Sequence, residues 1–194
     1  MRQLYKPTVL LVTAGIGLGL ATIGASLTLA ALIPVTTRTP KMSNSPVLLA
    51  QGLNKDELLK AHNQYRKDVG VLPLKWSDSL ASSAQKWADR LASTDSFKHS
   101  STQYGENIWA GTSEAYSQTQ MVNSWGKERQ YFVANRAFPR ACTGDWSQCA
   151  HYTQIIWKDT QQVGCGLATS KNTKTDYLVC QYNPPGNIQG RKPY

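Results

Sequence analysis

The 194-residue sequence predicts an α+β body carried behind an apolar N-terminal segment. Three observations lead there: an uncharged run over residues 9–33, amphipathic helical stripes through the first half of the remainder, and a strand–turn–strand pattern near its end. With 41% apolar residues, 17% charged residues and six tryptophans, the composition is that of a packed domain. It does not suit a disordered, collagen-like or coiled-coil chain.

The N-terminal run is flanked by Arg2 and Lys6 before it and by Arg38 and Lys41 after it. An apolar stretch of this length can cross a hydrocarbon core of roughly 30 Å, and the positive flank stays cytoplasmic, so the body is exported. The best cleavage candidate, Thr28-Leu29-Ala30 before Ala31, matches a signal-peptidase site poorly, so a membrane anchor through residues 9–33 is favoured over a removed signal peptide (residues 1–33). Residues 34–52, with Pro34, Pro40 and Pro46 among Ser, Thr and Asn, cannot bury enough apolar surface to fold and read as a linker. The folded domain is therefore 53–194, outside the cytosol: extracellular, periplasmic or at the cell surface.

Within the domain, Asn54 followed by Glu57 reads as a capping box, and Leu58, Ala61, His62, Tyr65 and Val69 follow a helical stripe until Gly70 stops it. A second helix starts after Ser77, with Leu80, Ala84, Trp87, Ala88 and Leu91 on one face. A third runs from about Ser117 to Gln130, with Met121, Trp125 and Glu128 spaced three and four apart. A carboxylate on a core-facing stripe is costly unless a cation, metal or donor satisfies it; the alternative is an edge position bent out to solvent, and spacing alone does not choose. Near the end, 163–169 and 176–182 flank the polar residues 170–175 as a hairpin, closed by Pro184, Pro185 and Gly186.

The cysteine count is four, all in the exported body. An even set outside the cytosol suggests disulfides, and four thiols allow three connectivities. If Asn172 and Thr173 form the centre of the hairpin, Cys165 falls opposite Cys180 within bridging distance, and Cys142 with Cys149 would close a short loop. A zinc site of four thiolates needs close C-x-x-C pairs that the chain lacks.

Lys and Arg number 21 against 12 Asp and Glu, a net charge of +9. Beyond the N-terminal flank the excess is spread without a cluster, so no nucleic acid partner is expected. Histidine is scarce, with three in the chain. His99 and Glu106 sit close in sequence, Glu128 lies on the third stripe, and His151 opens an apolar segment. Two imidazoles and two carboxylates can form a metal site, a general acid–base pair, or merely a hydrogen-bonded polar cluster. No H-E-x-x-H helix, G-x-S-x-G elbow or phosphate-binding loop is present.

Four segments then carry a family resemblance: His62-Asn63-Gln64-Tyr65-Arg66, Gly105-Glu106-Asn107-Ile108, His151 through Trp157, and Tyr177 through Ile188. In this order they resemble the signature motifs of the CAP superfamily (cysteine-rich secretory proteins, antigen 5 and pathogenesis-related 1 proteins; the SCP domain), and in particular its plant pathogenesis-related 1 branch. The resemblance implies a three-layer α-β-α sandwich with a small, mainly antiparallel sheet, and a short helix from His151. It implies that His99, Glu106, Glu128 and His151 line one cavity, with Glu128 pointing inward, and that the disulfides pair Cys142 with Cys149 and Cys165 with Cys180. Plant relatives usually carry a third bridge that is missing here. The expected function is a non-catalytic recognition module with a monomeric body, binding a lipid or sterol and holding zinc or another divalent metal on His99 and His151. A metal-dependent hydrolase or peptidase using the same four residues is the alternative, and release of a signalling peptide beginning at Pro184 is a further one.

Overall fold

The computed structural model describes residues 52–194, so the expectations for residues 9–33 and for the linker up to residue 51 lie outside the described residues. Helix α1 spans Lys55–Asp68, and the Asn54 side chain accepts from the Glu57 N–H at 3.1 Å. The other half of the expected capping box is used differently. The Asn54 N–H donates to Gln118 Oε1 at 2.8 Å, and the Glu57 carboxylate accepts from the Thr119 N–H at 2.7 Å. Gln118 and Thr119 open helix α3 (Gln118–Gly126), so two helix N-termini satisfy each other's orphan donors.

Helix α2 (Asp78–Thr94) begins on the Ser77 cap, as its stripe requires, and buries Leu80, Ala84, Ala88 and Leu91. A Leu so buried contributes about 2 kcal/mol relative to an exposed one. Trp87 is only half-buried, and its indole donates to the Lys98 carbonyl at 3.0 Å. Helix α3 is shorter than its spacing suggested: after Gly126 the chain tightens into a 3-10 turn, Lys127–Tyr131. Gly126 lies against the Tyr65 ring so closely that a Cβ would overlap it, which fixes glycine at this change of helix type.

The sheet has four strands in the order β1-β3-β4-β2: β1 (Lys75–Trp76), β2 (Gly105–Thr112), β3 (Gln162–Thr169) and β4 (Thr175–Asn183). β3 and β4 form the expected antiparallel hairpin, β2 pairs antiparallel with β4, and the two-residue β1 runs parallel to β3. Cys165 lies opposite Cys180 in this register and is bonded to it; Cys142 is bonded to Cys149. Helix α4 (Ala150–Ile155) is short, as the resemblance implied despite its β-branched sequence.

Alternation along the strands sorts side chains between two layers. Ile108, Tyr177 and Val179 pack under α2 with Ala84, Ala88 and Leu91. Val163, Cys165, Leu178, Cys180 and Tyr182 face the other way, into a larger core with Leu58 of α1, Trp125 of α3 and Ile155 of α4. Helices thus cover both faces, giving the α-β-α sandwich. On the α2 side, Gly164 and Gly166 leave no room for a Cβ, which would strike the backbone of Ala81 and Gln85.

Candidate functional site

Glu106 opens β2 on the α2 face, opposite Gln181 of β4. Its carboxylate accepts four hydrogen bonds: from His99 Nδ1 at 2.9 Å, the Ser100 N–H at 2.8 Å, Ser100 Oγ at 2.5 Å and Gln181 Nε2 at 3.0 Å. Burial opposes ionisation of Glu106, but these donors outweigh it and hold the carboxyl below the ordinary range. The carboxylate is nearly buried, with the Glu106 side chain 6% exposed, whereas His99 lies at the solvent rim with 62% of its side chain exposed.

Glu128 stands on the 3-10 turn after α3, whose tighter winding aims it at the start of α4. One oxygen accepts from His151 Nδ1 at 2.7 Å, and the other from the backbone N–H groups of His151 and Tyr152 at 3.0 and 3.2 Å. The residue preceding α4, Cys149, supplies no side-chain cap, so Glu128 performs that task from 23 residues upstream and places negative charge at the helix start. The His151 ring also stacks on Trp125, with centroids 6.1 Å apart and planes at 19°.

The four sequence-predicted residues therefore form two histidine–glutamate pairs. Among the described residues no hydrogen bond or ion pair joins one pair to the other directly. The link is Asn107, next to Glu106 on β2, whose amide donates to the His151 carbonyl at 3.1 Å and to the Tyr182 hydroxyl at 3.2 Å. In both pairs a carboxylate can only accept, so each Nδ1 carries a proton, and in the neutral ring Nε2 then presents a lone pair. Neither Nε2 makes a hydrogen bond among the described residues. This is the tautomer a metal ligand adopts, oriented by a carboxylate behind it. Among the described residues, no group of three or more His, Cys, Asp or Glu side chains is arranged to hold a metal ion.

Ser100, Asn107, Gln181 and Trp125 take part in this centre beyond the four residues expected to line it. Ser100 and Gln181 become neighbours of Glu106 only through the β2–β4 register, which local spacing does not reveal. The stretch after β4 is tied down along the domain: the Pro184 carbonyl accepts from Thr160 Oγ1 at 2.9 Å, the Gly186 N–H donates to Gln154 Oε1 at 2.9 Å, and Asn187 bonds both Ala150 and Thr153.

A disulfide-stapled α-β-α domain with a histidine–glutamate pair on each side of an edge strand is the class defined so far. The chain belongs to the cysteine-rich secretory protein (CAP) family, whose pattern it matches over residues 59–182. It is 38% identical over 142 residues to pathogenesis-related protein 1C of Nicotiana tabacum, covering 73% of this chain and 81% of that one. It is 33% identical over 141 residues to pathogenesis-related protein 1 of Arabidopsis thaliana, covering 73% and 83%. Among solved structures, BmVAL-1 superposes with a TM-score of 0.60 at 25% identity, covering 73% of this chain and 83% of that one. NaASP2 with Zn2+ has the same fold, with a TM-score of 0.62 at 22% identity over 75% and 88% of the two chains.

Proposed function

We propose that this domain works outside the cytosol as a non-catalytic recognition module, and that its histidine–glutamate centre binds a divalent cation through the Nε2 atoms of His99 and His151. The saturation of both carboxylates supports this reading. A general acid or base must exchange a proton with substrate, yet Glu106 is held ionised by four donors and Glu128 is occupied by three. Such carboxylates orient imidazoles; they are poorly placed to shuttle protons. Two disulfides fit an oxidising compartment, which supports export. A lipid or sterol ligand is suggested by family membership, and it would bind apart from the cation.

Calorimetric titration of the full chain with zinc, the ion present in the NaASP2 structure, tests the reading. Binding should be lost in His151→Ala and His99→Ala and weakened about 10- to 100-fold in Glu128→Ala, while uptake of a labelled sterol by Glu128→Ala stays at the wild-type level. Metal-dependent hydrolysis of an ester or peptide that disappears with either histidine would replace this reading with the hydrolase one.

A further inference from the structure

Residues 132–149 form an exposed loop held in one shape. The Val133 N–H donates to the Ala141 carbonyl and the Thr143 N–H to the Tyr131 carbonyl, both at 2.8 Å, and the Cys142–Cys149 bridge closes the far end. Phe138 is paired through its backbone with the C-terminal stretch, donating to the Arg191 carbonyl and accepting from the Gly190 N–H, each at 2.8 Å. Arg136 and Arg140, four residues apart on this loop, line one hollow.

The loop forms an open hollow of about 330 Å³ lined by Arg136, Pro139, Arg140, Asp145 and Trp146, among others. Trp146 is 53% exposed, and its ring is braced edge-on by Phe138 with centroids 6.2 Å apart. Neither Arg136 nor Arg140 is in an ion pair among the described residues. Asp145 accepts from the Ser147 N–H at 2.9 Å and from the Ser147 hydroxyl, and its exposed carboxylate keeps further lone pairs towards solvent.

We propose that this cavity is a subsite for an acidic saccharide, a chain of uronate units. The apolar C–H face of a pyranose ring lies on the Trp146 indole, the uronate carboxylate is gripped by the guanidinium forks of Arg136 and Arg140, and ring hydroxyls donate to Asp145. The three groups together select this class. A lipid tail finds too little apolar surface in a cavity at the small end of the ligand range. A phosphodiester group offers Asp145 no hydrogen-bond donor, whereas the ring hydroxyls of a uronate unit do. The braced indole and the stapled loop reduce the ordering cost of binding.

The test is calorimetry on the full chain, disulfides formed, with tetragalacturonate against neutral cellotetraose. Tetragalacturonate should bind at least about tenfold more tightly, and weaken as salt rises because its charge contacts are exposed. Arg136→Gln/Arg140→Gln should lose at least about tenfold in affinity, with an unchanged melting temperature because both residues are exposed, and Trp146→Ala should lose several-fold. Arg136→Lys/Arg140→Lys, which keeps the charge without the fork, should fall between. Equal affinity for the neutral tetramer, or full affinity in Arg136→Gln/Arg140→Gln, would sink the proposal. So would a sulfated oligosaccharide, a single-stranded oligonucleotide or anionic vesicles binding this loop as well as the uronate.

Discussion

His62 Nε2 lies 2.8 Å from the Tyr182 hydroxyl in a part of the interior where neither side chain is exposed. His62 Nδ1 is 2.7 Å from the Leu58 carbonyl, which can only accept, so the ring proton sits on Nδ1 and Tyr182 donates to Nε2. The Tyr182 oxygen accepts in turn from Asn107, whose amide also reaches the His151 carbonyl. From the Asn107 amide, donation therefore runs one way to the start of α4 and the other way through Tyr182 and His62 to α1, and it has no place for a second proton on His62.

Acid should destabilise the domain through this ring. Burial lowers the His62 pKa from 6.5 to about 4, opposed in part by the hydrogen bond to the Leu58 carbonyl and aided to a smaller degree by the Arg66 charge. The unfolded chain takes up the proton first, so stability is complete above about pH 6.5 and is lost as pH falls towards about 4, by on the order of 3 kcal/mol. Urea midpoints measured from pH 7 to pH 4.5 should decline in the wild type and flatten in His62→Gln. An equally steep decline in that variant would show that the proton is taken up elsewhere.

Arg66 should tolerate no substitute. Its guanidinium is buried without a carboxylate partner and donates instead to the carbonyls of Leu72, Ile155, Trp157 and Thr160, at 2.6 to 2.9 Å. Burial lowers its pKa to about 10, which still leaves it charged at neutral pH. Two of these acceptors are at or just beyond the end of α4, where helix carbonyls lack internal partners. Arg66→Met should cost at least about 3 kcal/mol, since each stranded carbonyl costs about 1–3 kcal/mol. Arg66→Lys should recover only part of this loss, as read by equilibrium unfolding.

Glu128→Gln should separate the two tasks of that carboxylate. An amide can accept through one oxygen only, so the His151 and Tyr152 N–H groups cannot all be served and helix α4 loses its distant cap. A loss of about 1–2 kcal/mol in unfolding free energy is expected, with the His151 ring no longer held as the Nδ1–H tautomer, which nitrogen chemical shifts would report. Unchanged shifts would mean that Trp125 stacking alone orients the ring.

The two disulfides should differ in worth. Cys165–Cys180 closes a separation of 15 residues and Cys142–Cys149 one of 7. Chain entropy assigns them about 3 and about 2 kcal/mol respectively. Replacing each pair by alanine and comparing urea midpoints measures both, and loss of the shorter bridge should leave the melting of the sheet the less affected.

What the sequence disclosed followed from symmetry and periodicity. Centring the hairpin on Asn172 and Thr173 put Cys165 opposite Cys180 because pairing across a hairpin is set by its middle. The α2 stripe was legible because buried and exposed positions alternate at the helical period. Other features are decided at long range. β1 has two residues and exists only because β3 lies beside it. The 3-10 turn that aims Glu128 begins where the Tyr65 ring lies against Gly126, a contact between α1 and α3 that spacing does not encode. Glu128 was conspicuous as a charge on an apolar stripe, but its partner came from a motif resemblance, and its second role, holding the start of α4, came from neither.

Gly164 and Gly166 make the meeting of β3 and α2 an encounter of main chain with main chain. The separation of those two layers is consequently not adjustable by trading one side chain for another. His99 follows the exit of α2 and Glu106 projects from the sheet's α2 face, so the gap between this imidazole and its carboxylate depends on the same layer spacing that those two glycines set. A methyl group added at position 166 would be felt as a misfit at the rim, well away from where it was introduced.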